Sequence, residues 1–169
     1  MRNLIITAFT LVSVYTQAAV YQKIVLGHPE AQCLDGTKGV YYLSRGSNPQ
    51  KFVLFYEGGG WCGGEDLASA TESCYKQSFQ VDGSSSTYPD QISFDIGIMS
   101  NSPSNPFADA TKVYFKYCTG ASHQGYRAAP LNYKGRNLYF KGHIVTQNAL
   151  DDVEGREGLF SRASHIFIT

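Results

Sequence analysis

Residues 51–62, Lys-Phe-Val-Leu-Phe-Tyr-Glu-Gly-Gly-Gly-Trp-Cys, constrain this chain more than any other stretch. Phe52 to Tyr56 is a short apolar run rich in aromatic and β-branched residues, which predicts a buried strand. Gly58, Gly59 and Gly60 follow at once, where the chain leaves the sheet. Glycine takes backbone angles closed to other residues and lets a ligand approach the main chain. A strand that runs straight into such a loop can aim backbone N–H groups at the charge that develops on a carbonyl oxygen during acyl transfer. A lone Gly-Gly-Gly serves equally as a tight turn between strands, so the rest of the chain has to decide between the two.

The 169 residues suffice for one domain with a real core. Fourteen basic residues balance fourteen acidic ones, and no run of like charge stands out. That argues against nucleic acid and against an anionic membrane surface as partners. Twelve tyrosines is a high count, and such rings line carbohydrate-binding surfaces as well as cores.

Residues 1–19 carry a single charge at Arg2, an apolar stretch from Leu4 to Val14, and small residues at Ala18 and Ala19. This pattern predicts a signal peptide cleaved near Ala19, leaving 20–169 as the mature domain. The apolar stretch is short for a membrane span. No Asn-x-Ser/Thr sequon is present. Export alters the reading of Cys33, Cys62, Cys74 and Cys118, because an even set in an oxidising route favours two disulfides. Three pairings are open. One joins Cys62 to Cys74, closing a short loop behind the glycines, and Cys33 to Cys118, tying the N-terminal segment to a later strand. The spacings show no Cys-x-x-Cys knuckle, so a zinc site is disfavoured.

Along the mature chain, strands are expected at Tyr21–Leu26 and Val40–Leu43, forming a hairpin-like pair interrupted by an Asp35-Gly36 turn. Residues 46–49 read as a loop, 52–56 as the central strand and 65–75 as a helix. Residues 80–106 are irregular, broken by Pro89, Pro103 and Pro106, with a short apolar segment at 92–99. Residues 112–118 alternate as a strand with Val113, Phe115 and Tyr117 on one face. Residues 119–136 read as loop and 138–140 as a short extended piece. Val145, Ala149 and Val153 mark an amphipathic helix over 143–154, ended by Gly155 and Gly158. Residues 164–169 form an apolar, buried strand. This order predicts an α/β fold with a mostly parallel sheet and flanking helices.

Five stretches together resemble the pectin acetylesterase family, which includes the animal carboxylesterase Notum. They are Cys33-Leu-Asp-Gly36, Phe55-Tyr-Glu-Gly-Gly-Gly-Trp-Cys62, Ser100-Asn-Ser-Pro-Ser-Asn-Pro-Phe107, the run from Lys112 to Ser122, and Leu138-Tyr-Phe-Lys-Gly142. The resemblance implies an α/β-hydrolase fold with a Ser-His-Asp triad that removes ester-linked acyl groups from polysaccharides or proteins, without cofactor. Gly59 and Gly60 match its oxyanion-hole loop, Trp61 lies beside them shaping the acyl pocket, and the cysteines support the Cys62–Cys74 and Cys33–Cys118 pairing. Thr119 stands where plant members carry aspartate, near the substrate side.

The family nucleophile sits in Gly-x-Ser-x-Gly directly after a strand like 165–169, and the motif occurs nowhere in these residues. The catalytic serine, aspartate and histidine are therefore expected beyond Thr169, in an incomplete α/β-hydrolase-like fold truncated before the nucleophile elbow. A substitute dyad from Ser122 and His123 is disfavoured, since adjacent side chains on an extended loop point apart. His165 is expected in a buried strand, with His28 and His143 solvated. Glu57 is either an organiser of the glycine loop or a surface carboxylate. Asp151, Asp152 and Glu154 read as a solvated helix face.

Two functions compete on these residues. The first is a secreted, monomeric carboxylic ester hydrolase acting on an acetylated polysaccharide or other acyl ester, the chain as given being inactive. The second is a non-catalytic carbohydrate- or lipid-binding relative. Nucleotide binding by the glycine loop is disfavoured, because no Gly-x-Gly-x-x-Gly or Walker lysine accompanies it.

Overall fold

The structure is a computed structural model that describes residues 18–169. Apart from Ala18 and Ala19, the expected leader lies outside the described residues. Strand β1 (Ala19–Val25) pairs antiparallel with β2 (Val40–Ser44), with Gln22 opposite Leu43 and Val25 opposite Val40. Between them the Asp35-Gly36 turn closes a Gln32–Lys38 bridge, Asp35 Oδ1 accepting from Thr37 N at 2.9 Å and Gly36 adopting φ 92°. Strand β3 (Asn48–Tyr56) starts earlier than the sequence suggests. The segment read as a loop at 46–49 already enters the sheet at Asn48, and the register slips between Asn48 and Phe52.

With β4 (Gln91–Phe94), β5 (Ala110–Phe115) and β8 (His165–Ile168), these strands form a six-stranded sheet in the order β4-β1-β2-β5-β3-β8. The sheet is mixed. Its N-terminal side is antiparallel, and parallel pairing runs through β5, β3 and β8. Phe52 and Leu54 of β3 face one core with Val113 and Phe115, while Val53 faces the other with Tyr42 and Ala110. Both faces of β3 are covered, which explains its continuous apolar run.

Helix α2 (Gly142–Glu157) lays Val145, Ala149 and Val153 on the first core. It continues through Gly155 and stops only at Gly158, whose φ of 73° and ψ of 45° make a left-handed cap. The second core is covered by the irregular stretch 80–107, which contributes Tyr88 and Met99. Helix α1 (Leu67–Gln77) begins with a reciprocal cap between Asp66 and Ser69. It packs on a hairpin of β6 (Leu131–Tyr133) and β7 (Arg136–Leu138), around Leu34, Cys74 and Leu138. The sequence predicts a loop over most of this stretch, and the structure makes it a hairpin. Lys134 (φ 49°) and Gly135 (φ 77°) form the tight turn between strands too short to show periodicity.

The expectation of a buried strand at 164–169 is corrected. β8 lies at the edge of the sheet, and His165, Ile166, Phe167 and Ile168 are all exposed. An apolar strand is buried only by a neighbour, and among the described residues β8 has just β3. No described helix is long and apolar enough to cross a membrane.

Candidate functional site

The parallel strands β3 and β5 deliver their carboxyl ends to the same rim, where α/β sheets place their ligands. At this rim the loop from Gly58 to Gly64 leaves β3, and the loop from Thr119 to Gly125 follows β5. Thr169 reaches the same rim, its carbonyl accepting from Tyr56 N at 2.8 Å.

The glycine loop is held from several sides. Gly59 lies against the ring of Tyr117 so closely that a Cβ would stand 2.0 Å from Cδ1. The Tyr117 hydroxyl donates to Gly60 O at 3.3 Å and accepts from Ser122 N at 3.4 Å. Gln77, buried at the end of α1, donates its amide to Gly60 O at 2.7 Å and to Asp82 O at 3.3 Å. Cys62 N donates to Gly120 O at 3.2 Å, and the Cys62–Cys74 disulfide fastens the loop to α1. The other disulfide, Cys33–Cys118, joins the chain before β2 to the end of β5. Within this frame the N–H groups of Gly58, Gly59, Gly60 and Trp61 donate no hydrogen bond among the described residues. They are open to an acceptor brought by a ligand.

Glu57 organises the rim beneath the loop. Its carboxylate accepts from Tyr117 N at 2.7 Å and pairs with Lys116, and its own carbonyl lies 2.9 Å from His123 Nε2. Of its two sequence readings, the organising one fits these contacts, although the carboxylate grips Tyr117 rather than the glycines. The His123 ring packs edge-on against Tyr56 and Tyr117, both with centroids at 5.3 Å. Ser122 and His123 both adopt left-handed backbone, φ 50° and 60°, and their side chains make no hydrogen bond to each other. Burial raises the hydroxyl pKa of Tyr56 and of Tyr117 above the ordinary tyrosine value, so both stay protonated at neutral pH.

Trp61 is 76% exposed and lines a cavity of ≈460 Å³ with Cys62, Gly120, Ala121, Ser122 and Gln124. Ser122 and Gln124 also line a second cavity of ≈340 Å³ beside His123 and Tyr56. Thr119 is not on either surface. It is 1% exposed, and its Oγ1 is buried close to Gly142 without a partner among the described residues. Gly59, Gly60 and Trp61 thus share one loop at the rim, with Thr119 behind it. His165 is exposed at the far edge of the sheet, at the start of β8, and His28 and His143 are exposed as well. Among the described residues no three His, Cys, Asp or Glu side chains gather as a metal site. Sequence reasoning missed Gln77 and the loop-clamping role of Tyr117, because both act across long separations.

A family model described as Pectinacetylesterase matches residues 13–169. Pectin acetylesterase 5 from Arabidopsis thaliana is 33% identical over 127 residues, covering 73% of this chain and 28% of that protein. Pectin acetylesterase 7 from the same plant is 32% identical over 145 residues, covering 82% of this chain and 32% of its own. The chain therefore spans less than a third of the length of these relatives. Among solved structures, the Wnt deacylase Notum from Drosophila superposes with a TM-score of 0.73 at 22% identity, over 88% of this chain and 42% of its own. That likeness is one of fold, of the α/β-hydrolase type.

Proposed function

The chain belongs to the pectinacetylesterase family, and on that footing we propose that it carries the oxyanion-binding part of a secreted, serine-dependent carboxylic ester hydrolase. Its substrate is an acetylated polysaccharide or a related acyl ester. One observation supports this above all. Among the described residues the N–H groups of Gly58 to Trp61 are unpartnered, on a loop that a disulfide, a tyrosine and a glutamine hold still. Donors fixed before the reaction stabilise a developing oxyanion without reorganising, the largest single contribution in many acyl transfers.

In this reading Gly59 and Gly60 donate to the oxyanion, Trp61 shapes the acyl pocket, and Thr119 supports the substrate side from behind. The attacking serine and its partners lie outside residues 1–169, which contain no Gly-x-Ser-x-Gly. The reaction calls for neither a metal nor an organic cofactor. Two disulfides and an apolar leader suit an enzyme that leaves the cell and works as a monomer.

The test is to read the transcript beyond the codon for Thr169 and express the frame it encodes. The expected product releases acetate from an acetylated polysaccharide, is blocked by a serine-reactive phosphonate, and loses activity with Gly59→Ala. Residues 20–169 alone are expected to release none. A frame without Gly-x-Ser-x-Gly, or a folded product that releases no acetate, overturns the proposal in favour of a binding protein.

A further inference from the structure

Where the chain leaves the C-terminal end of α1 at Ser78 lies a further cavity, of ≈510 Å³, that the acyl-transfer reading does not use. Phe79, Arg136, Asp35, Ser84, Ser86 and Thr87 are among its walls. Phe79 is 59% exposed, and the Arg136 guanidinium stacks on its ring at 4.1 Å. Arg136 donates to Ser78 O at 2.8 Å, and its Nε is buried without a partner among the described residues. Its contact with Asp35 Oδ2 is long, 3.9 Å, while Asp35 Oδ1 accepts from the N–H and hydroxyl of Thr37. A guanidinium offers five N–H donors in a fixed fork, so this one has donors to spare. A buried polar group left unpaired calls for an explanation.

The chemistry of these walls narrows the ligand. Arg136 and Asp35 leave the cavity close to neutral, so a small inorganic anion would meet a carboxylate as well as the guanidinium. Donors, acceptors and hydroxyls beside an exposed aromatic ring suit a polyhydroxylated ring with one apolar face. We propose that this cavity is a sugar-binding subsite that takes one pyranose of a polysaccharide chain. Phe79 packs on the apolar face of the sugar while Arg136, Asp35 and the serines read its hydroxyls. The subsite adjoins the glycine loop through Gln77, which bonds Gly60 O and Asp82 O, and Ser78 follows directly in the chain. This inference rests on the polysaccharide reading above, to which it adds a second point of attachment.

The test is a titration followed by amide chemical shifts of the labelled protein. Its two probes, a galacturonate hexasaccharide and a neutral galactose hexasaccharide, are both free of acetyl groups, so the outcome is independent of ester hydrolysis. Shifts are expected at residues 79–81, 84–87 and 136. Binding of both probes supports hydroxyl readout by the subsite, whereas binding of the galacturonate alone, through its carboxylate, overturns it. Phe79→Ala, a change at a partly exposed ring that also packs on Arg136 and Tyr75, is expected to weaken binding about tenfold with only a small fall in the melting midpoint. Arg136→Lys, which keeps the charge and loses the fork, should weaken it similarly. A Phe79→Ala protein that binds like the parent overturns the proposal, as does an absence of shifts in the cavity. Shifts confined to residues 61 and 120–124 overturn it too, and leave the esterase reading to be decided by acetate release.

Discussion

The ring of Tyr117 occupies the space that a side chain on Gly59 would need, Cδ1 lying 2.0 Å from where a Cβ would be. Glycine at 59 is therefore dictated by packing, independently of any ligand. Gly58, only one residue away, has nothing within 4 Å of the same position. Gly59→Ala is expected to cost about 1–3 kcal/mol through overpacking, and Gly58→Ala about 0.5 kcal/mol or less. Paired denaturant melts measure both, and equal losses would contradict the packing account.

Tyr117→Phe keeps the ring and removes the hydroxyl that bonds Gly60 O and Ser122 N. Both contacts are long, so the expected loss is about 1 kcal/mol. Amide exchange should accelerate at residues 60–62 and 122 while the sheet core is unaffected. Unchanged exchange at the loop would remove Tyr117 from its role as a clamp.

The two disulfides should contribute unequally. Cys62–Cys74 spans a sequence separation of 12 and Cys33–Cys118 one of 85. Loop-closure entropy assigns them about 3 and about 4.5 kcal/mol. A double Cys33→Ala, Cys118→Ala protein should melt well below a double Cys62→Ala, Cys74→Ala protein. The latter should lose order chiefly in the glycine loop.

Alkaline pH should unfold the protein. Burial foremost, then the charges of Asp90 and Glu57, push the Tyr42 hydroxyl from its ordinary 10.0 up to about 12. Burial raises Tyr21, Tyr41, Tyr88 and Tyr114 in the same direction. A raised folded-state value means the native chain keeps protons that the unfolded chain has released. The stabilisation is then complete below pH 10 and disappears as pH rises through the folded values. Lys112 opposes this, since burial lowers its pKa, but it is one group against several. Urea midpoints should fall steadily above about pH 10, and less steeply in Tyr42→Phe. A flat alkaline profile would refute the tyrosine account.

The sheet was legible wherever one strand carried its own burial pattern. Phe52 to Tyr56 and the Val145, Ala149, Val153 spacing each announce an element because both faces, or one stripe, meet a core. The β6–β7 hairpin was not, since three residues cannot display a period and Lys134 is an unusual residue for positive φ. The exposure of β8 was hidden for another reason, because apolar composition reports what a strand could bury and not what lies beside it. At the site, the glycines were visible as glycines. The partner that requires one of them, Tyr117, was read only as a residue on a strand face. Phe79 and Arg136 carry no local signal at all, and only the fold brings them together.

The parallel pairing of β3 sets a timetable for synthesis. Lys51 opposite His165 is a contact between residues 114 apart, and Val53 meets Phe167 at the same separation. At ribosomal speeds of roughly 5–20 residues per second, β3 emerges several seconds before the strand that will pair with its free edge. Throughout that interval its backbone is an open template for any other nascent chain. Productive folding of this protein is therefore a race between β8 and other nascent chains for the open edge of β3, and chaperone supply sets the odds.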